Sequence, residues 1–166
     1  MELIMNKSFY WRISAVICFL IFYSPAFAGD YVLHDDGTLT DNLTGLDWQR
    51  KDDNIKRDWK SAVGYCLNLK FAGHDDWRLP NHYELRTIRS EGKKYPAVDQ
   101  DAFPETKAEM YWSATELPYS DDLSFNVNFG KKPAGISVKE NQLTMKWTNK
   151  YYSRCIRGKR KKIEKK

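Results

Sequence analysis

The stretch Asp76-Trp77-Arg78-Leu79-Pro80-Asn81-His82-Tyr83-Glu84-Leu85 constrains the fold of this chain more than any other. Pro80 disfavours helical backbone at Leu79, so Trp77 to Leu79 is predicted to be short and extended. Asn81 and Glu84 have the spacing of a capping box, in which each side chain satisfies the other residue's free backbone N–H at a helix start. A helix therefore opens after Asn81, with Leu85 and Ile88 facing inward. Glu84 is explained by this structural role and needs no catalytic one.

The flanking patterns extend that frame. Asp58 caps a predicted helix running through Lys70, whose apolar face is Trp59, Ala62, Val63, Cys66 and Leu69. Gly73 fits the exit of that helix. Tyr31 to Leu33 is a short strand. Thr38 to Asp41 and Leu46 to Arg50 flank the turn Asn42-Leu43-Thr44-Gly45 and are predicted to pair as a hairpin. A long loop held by aromatics follows Ser90. Tyr111 to Thr115 is extended, and Ser124 to Phe129 alternates, placing Phe125, Val127 and Phe129 on one side. Leu143 to Thr148 and Tyr151 to Arg157 complete the strands. Two helices lie early and several strands late, without regular βαβ alternation. That argues for an α+β fold with an antiparallel sheet.

Lys7 and Arg12 surround the approach to an apolar run, Ile13 to Tyr23, of about 11 residues. That is short of the roughly 20 needed to span a bilayer. Ala26-Phe27-Ala28 follows, completing the order of a secretory signal. We expect cleavage after Ala28 and a mature chain from Gly29, with no transmembrane segment left. A retained anchor helix is the alternative. Ile17 stands where a lipoprotein cysteine at Cys18 would need a small residue. The chain is thus divided into a signal peptide over 1–28, one domain over 29–158 and a basic, disordered tail over 159–166.

Cys66 and Cys155 remain after the signal is removed. An even count in an exported chain argues for a disulfide, with two separate buried thiols as the alternative. The bridge would close a loop of about 90 residues, worth roughly 4 kcal/mol on loop-entropy grounds. No Cys-x-x-Cys occurs, which disfavours a thiol–disulfide oxidoreductase.

Charge is concentrated at one end. Gly29 to Arg157 holds 19 basic against 20 acidic residues, whereas Gly158 to Lys166 holds six basic and one acidic. Lys159, Arg160, Lys161 and Lys162 form a run that reads either as a solvated end or as a polyanion-binding segment. In an exported chain, glycan and cell envelope outrank nucleic acid as its partner.

Several motifs occur together: Asp41-Asn42-x-Thr44-Gly45-Leu46-x-Trp48, Gly73-x-x-Asp76-Trp77-Arg78-Leu79-Pro80-Asn81, Tyr111-Trp112-Ser113-Ala114-Thr115 and Arg154-Cys155-Ile156-Arg157-Gly158. With the Trp59 to Cys66 helix between them, the chain resembles the Lcl C-terminal domain family over about Tyr31 to Gly158. The resemblance implies a C-type-lectin-like domain with two helices, an antiparallel sheet and one disulfide, Cys66 to Cys155. It also implies an extracytoplasmic binding role. The family's namesake is a collagen-like adhesin that binds sulfated glycosaminoglycans; this chain has no Gly-X-Y stalk.

The residues support little other chemistry. The pairs Asp52-Asp53, Asp75-Asp76, Asp99-x-Asp101 and Asp121-Asp122 lack a recognised calcium-loop spacing. His34, His74 and His82 form no zinc motif, and no Gly-x-Ser-x-Gly is present. No metal, cofactor or catalytic residue is expected. Trp59, Trp77 and Trp112 are assigned to packing. Trp147, flanked by Lys146 and Lys150, is predicted to be an exposed platform for an anionic sugar, with Lys131 and Lys132 as a second basic patch. The ordinary alternative is a solvated strand edge guarded by lysines. The expected protein is an exported, non-enzymatic binding module for glycans or anionic polymers, in periplasm, at the cell surface or secreted. The alternatives are an envelope domain that docks another protein and an enzyme on a lectin-like fold.

Overall fold

The computed structural model describes residues 30–90, 94–131 and 142–159. The predicted signal peptide, Lys132 and residues 160–166 lie outside the described residues. The order of elements is β1 (Tyr31–Leu33), β2 (Thr38–Asp41), β3 (Asp47–Gln49), α1 (Trp59–Leu67), α2 (His82–Thr87), β4 (Met110–Glu116), β5 (Leu123–Asn128), β6 (Gln142–Lys146) and β7 (Ile156–Arg157). The fold is α+β. Its strands form two sheets, β1-β2-β3-β7 and β4-β5-β6, both antiparallel.

The capping logic holds at both helices. The Asp58 carboxylate accepts from the Ser61 N–H at 2.9 Å. Asn81 accepts from the Glu84 N–H, and Glu84 accepts from the Asn81 N–H, each at 2.8 Å. Glu84 also forks to Arg78, at 2.7 and 2.8 Å, which ties α2 to the strand-like stretch before it. That stretch bridges β7 through Arg78 and Ile156. One expectation is corrected: α1 stops at Leu67, not Lys70, because the Asn68 side chain and backbone both donate to Gly64 O. Gly73, at φ +74°, serves the turn between Phe71 and His74 rather than the helix exit.

The sheet β4-β5-β6 separates two apolar clusters. On one face Tyr111, Val127 and Phe129 join Leu85 and Ile88 of α2, together with Leu39, Trp48 and Phe103. On the other, Trp112 packs with Trp59, Ala62 and Cys66 of α1, and with Trp77 and Leu79. Trp59, Trp77 and Trp112 are buried, as the packing assignment requires. The Cys66–Cys155 disulfide forms, and it staples α1 to the segment leading into β7 within that second cluster. Ser124, Asn126 and Asn128 alternate with the apolar residues of β5 and are buried as well, so β5 is covered on both faces. Among the described residues, no helix is long and apolar enough to cross a membrane.

Candidate binding cleft

Three segments meet at one end of the β4-β5-β6 sheet and enclose a cleft of about 620 Å³. The start of α1 contributes Asp58 and Lys60. The β4–β5 connection contributes Asp121 and Asp122. The exit of β6 contributes Lys146, Trp147, Thr148 and Lys150. Main-chain bonds hold them together. Trp147 N–H donates to Asp122 O at 2.8 Å, and the free first N–H of α1, on Trp59, donates to Trp147 O at 2.9 Å. The second bond satisfies a helix-start donor that no intrahelical partner can reach.

The indoles reinforce this junction. Trp59 and Trp147 stack with centroids 4.5 Å apart and planes at 16°. Trp59 is anchored in turn by its Nε1–H, which donates to Ser113 O at 2.8 Å. Lys60 Nζ stands 5.3 Å from the Trp147 ring centre, within cation–π range. Trp147 is therefore not the freely exposed platform expected from its polar flanks. It is half-buried, and its Nε1 is enclosed without a hydrogen-bond partner. Trp147 lines the cleft with its indole held in one orientation, with little entropy left to lose on binding.

Many basic side chains of the molecule are paired: Lys51 with Glu105, Lys56 with Glu109, Arg57 with Asp53, Arg78 with Glu84, and Arg157 with Asp47 and Asp76. Lys60, Lys146 and Lys150 form no ion pair with another described residue, although Asp58, Asp121 and Asp122 line the same cleft. The Asp58 carboxyl is held below its ordinary range chiefly by the backbone and hydroxyl hydrogen bonds of Ser61. It is thus an occupied helix cap rather than a free partner for lysine.

Of the residues singled out from the sequence, Lys146, Trp147 and Lys150 come together here. Lys131 does not join them. Lys146 pairs with Leu123 at the start of β5, whereas Lys131 follows its far end, and the strand alone separates them by roughly 17 Å. Lys132 lies outside the described residues. Lys159 leaves the domain beside the β2–β3 turn, since a Cβ on Gly158 would stand 3.8 Å from Gly45 O. Lys60, Asp121, Asp122 and Thr148 were not anticipated. Lys60 is 87 positions from Trp147 in the sequence, and no local pattern links them.

Four of the aspartates weighed as calcium donors have other partners. Asp52 binds Arg154 at 2.8 Å, Asp53 binds Arg57, and Asp76 binds Arg157 at 2.7 Å. Asp99 accepts from its own loop, from Asp101 N–H at 2.9 Å. Among the described residues, no group of three or more His, Cys, Asp or Glu is arranged to hold a metal ion.

These features define a disulfide-stapled α+β domain with one aromatic, lysine-rimmed cleft. The family model of the Lcl C-terminal domain matches residues 37–157. The chain belongs to that family, in agreement with the motifs that suggested it. No curated protein matches the chain.

Proposed function

We propose that this chain is an exported, non-enzymatic binding module of C-type-lectin-like fold, adhesin-like in role, whose Trp147 cleft takes a carbohydrate bearing anionic groups. The observation that carries the reading is the coincidence of an oriented indole with three unpaired lysines in one cleft. Apolar C–H faces of a sugar ring pack on indole, and free ammonium groups supply charge-assisted hydrogen bonds to sulfate or carboxylate. Family membership supports an extracellular, adhesin-like setting. Two antiparallel sheets, two helices and one disulfide are compatible with the lectin-like fold.

Calorimetric titration with heparin oligosaccharides tests the proposal. Binding is expected for the native chain, with Trp147→Ala weakening it at least tenfold. Lys60→Gln/Lys146→Gln/Lys150→Gln should weaken it and flatten its salt dependence. Unchanged affinity in both variants would move the ligand elsewhere and leave protein docking as the better reading.

A further inference from the structure

A second surface, which shares no residue with the cleft, runs along β1, the edge strand of the β1-β2-β3-β7 sheet. Asp30 O accepts from Asn42 N–H at 2.9 Å, and His34 N–H donates to Thr38 O at 3.0 Å. Val32 lies opposite Thr40 between them, so residues 30, 32 and 34 direct their backbone groups into β2. Bonding alternates along an antiparallel pair, and the N–H and C=O of Tyr31 and Leu33 therefore face outward. Among the described residues these four groups have no hydrogen-bond partner. Val32 is 45% exposed and Leu33 48%, on opposite faces of the strand. A free edge that also exposes apolar side chains is a template for another strand.

The charge around this edge is acidic. Asp30, Tyr31, Leu33, Asp99, Asp101 and Ala102 line a cavity of about 150 Å³. Asp35 stands two positions beyond Leu33. Asp30, Asp35, Asp99 and Asp101 are exposed, and none forms an ion pair with a described residue. Arg50 reaches the loop, but it donates to the Asp101 backbone carbonyl at 2.9 Å rather than to a carboxylate. Asp99 Oδ1 accepts from the N–H groups of Asp101 and Ala102, at 2.9 and 3.1 Å, which fixes the loop beside β1.

We infer that the β1 edge receives an extended segment of a partner protein, in which apolar residues alternate with lysine or arginine. Its backbone pairs with the outward groups of Tyr31 and Leu33, and its side chains then fall alternately on the two faces of β1. Those on the Tyr31 and Leu33 face meet Asp99 and Asp101. Basic residues fit there, with their aliphatic stems laid on Leu33 and their charged heads on the carboxylates. Those on the other face meet Val32 and are apolar. Charge selects this occupant over a second copy, because self-pairing would bring two sets of the same carboxylates together. Main-chain bonds supply affinity and the alternating side chains supply specificity. The inference does not rest on the sugar reading of the Trp147 cleft.

The test is a fluorescence anisotropy titration of the chain, as recovered from the cells that make it, against a labelled peptide of alternating lysine and valine. A peptide of alternating glutamate and valine is the control. Binding of the lysine peptide only is expected. Leu33→Pro removes an outward N–H while leaving the bonds to β2 in place, and edge strands accept proline. It should weaken binding about tenfold, with the circular dichroism spectrum unchanged. Asp99→Asn/Asp101→Asn keeps the oxygen that fixes the loop, and should weaken binding severalfold and reduce its salt dependence. Trp147→Ala should bind the peptide as the native chain does. Equal binding of the glutamate peptide, or native affinity in the Leu33 variant, would overturn the proposal. Dimers of the native chain in sedimentation equilibrium that Leu33→Pro dissociates would overturn it in favour of a second copy. Tighter peptide binding by Lys159→Gln/Arg160→Gln/Lys161→Gln/Lys162→Gln would overturn it in favour of the chain's own basic run as occupant.

Discussion

Arg154 and the lysines of the Trp147 cleft treat positive charge in opposite ways. Arg154 is 1% exposed, and its guanidinium donates to Gln49 O, Arg50 O, Asp52 Oδ2 and Thr106 Oγ1 at 2.6–2.9 Å. Asp52 is shared with the buried Tyr111 hydroxyl, which donates to it at 2.9 Å. Burial, then the Asp52 charge, push the Tyr111 pKa up. The cluster joins the Asp52 loop, β4 and the approach to β7. Lys60, Lys146 and Lys150 are exposed and unpaired. A buried charge whose guanidinium makes four hydrogen bonds holds a fold together, because leaving it unmatched costs so much. An exposed charge without a partner contributes little to stability and is available to a ligand.

The largest expected effect attacks the buried side of this comparison. Arg154→Ala removes one partner of the Asp52 pair and should destabilise by about 3–5 kcal/mol in denaturant unfolding. A loss below about 1 kcal/mol would erase the distinction between the two regions. Next, Cys66→Ser/Cys155→Ser opens a loop whose ends are 89 positions apart and should cost roughly 4 kcal/mol. Its gel mobility should no longer change on reduction.

Trp147→Ala sits between the two regimes, since half of the indole supports the Trp59 stack. About 2 kcal/mol of stability should disappear together with ligand binding. The triple lysine-to-glutamine variant should unfold within about 0.5 kcal/mol of the native chain yet bind less tightly. Equal losses in stability and binding would show that the lysines are structural.

The smallest effects are in pH. Hydrogen bonds from Ser61 depress the Asp58 carboxyl, and Arg157 depresses that of Asp76. A depressed acid stabilises the folded state above its ordinary value of 3.8 and loses that contribution as pH falls through the lower folded value. Thermal unfolding temperature should therefore drop below about pH 4. Burial, then nearby Asp41, raises Tyr31 from 10.0 to about 12. Its contribution is complete below 10 and lost as pH rises through about 12, which an absorbance titration of tyrosinate would follow.

Much of the frame was legible because its causes are local. Asn81 with Glu84 and the β2–β3 turn rest on neighbouring residues, and the structure builds each as read. The end of α1 escaped because Asn68 competes for Gly64 O, a choice no apolar period reveals. The second sheet escaped because β7 pairs with β3 more than 100 positions away. Trp147 reads from its neighbours as an exposed platform, and it is half-buried instead. Its polar neighbours Lys146 and Lys150 indicate exposure, whereas the Trp59 ring that covers it comes from α1.

By itself, the sequence determined the helix starts, the hairpin, the family and the charge imbalance of residues 158–166, all properties of short segments or composition. Only the tertiary structure decided which charges are spent and which are free. It consumed Arg154 and Arg157 in ion pairs, carried Lys131 away from Trp147, and brought Lys60 to it. Pairing and burial depend on distances between remote segments, and those distances exist only once the sheets and helices have packed.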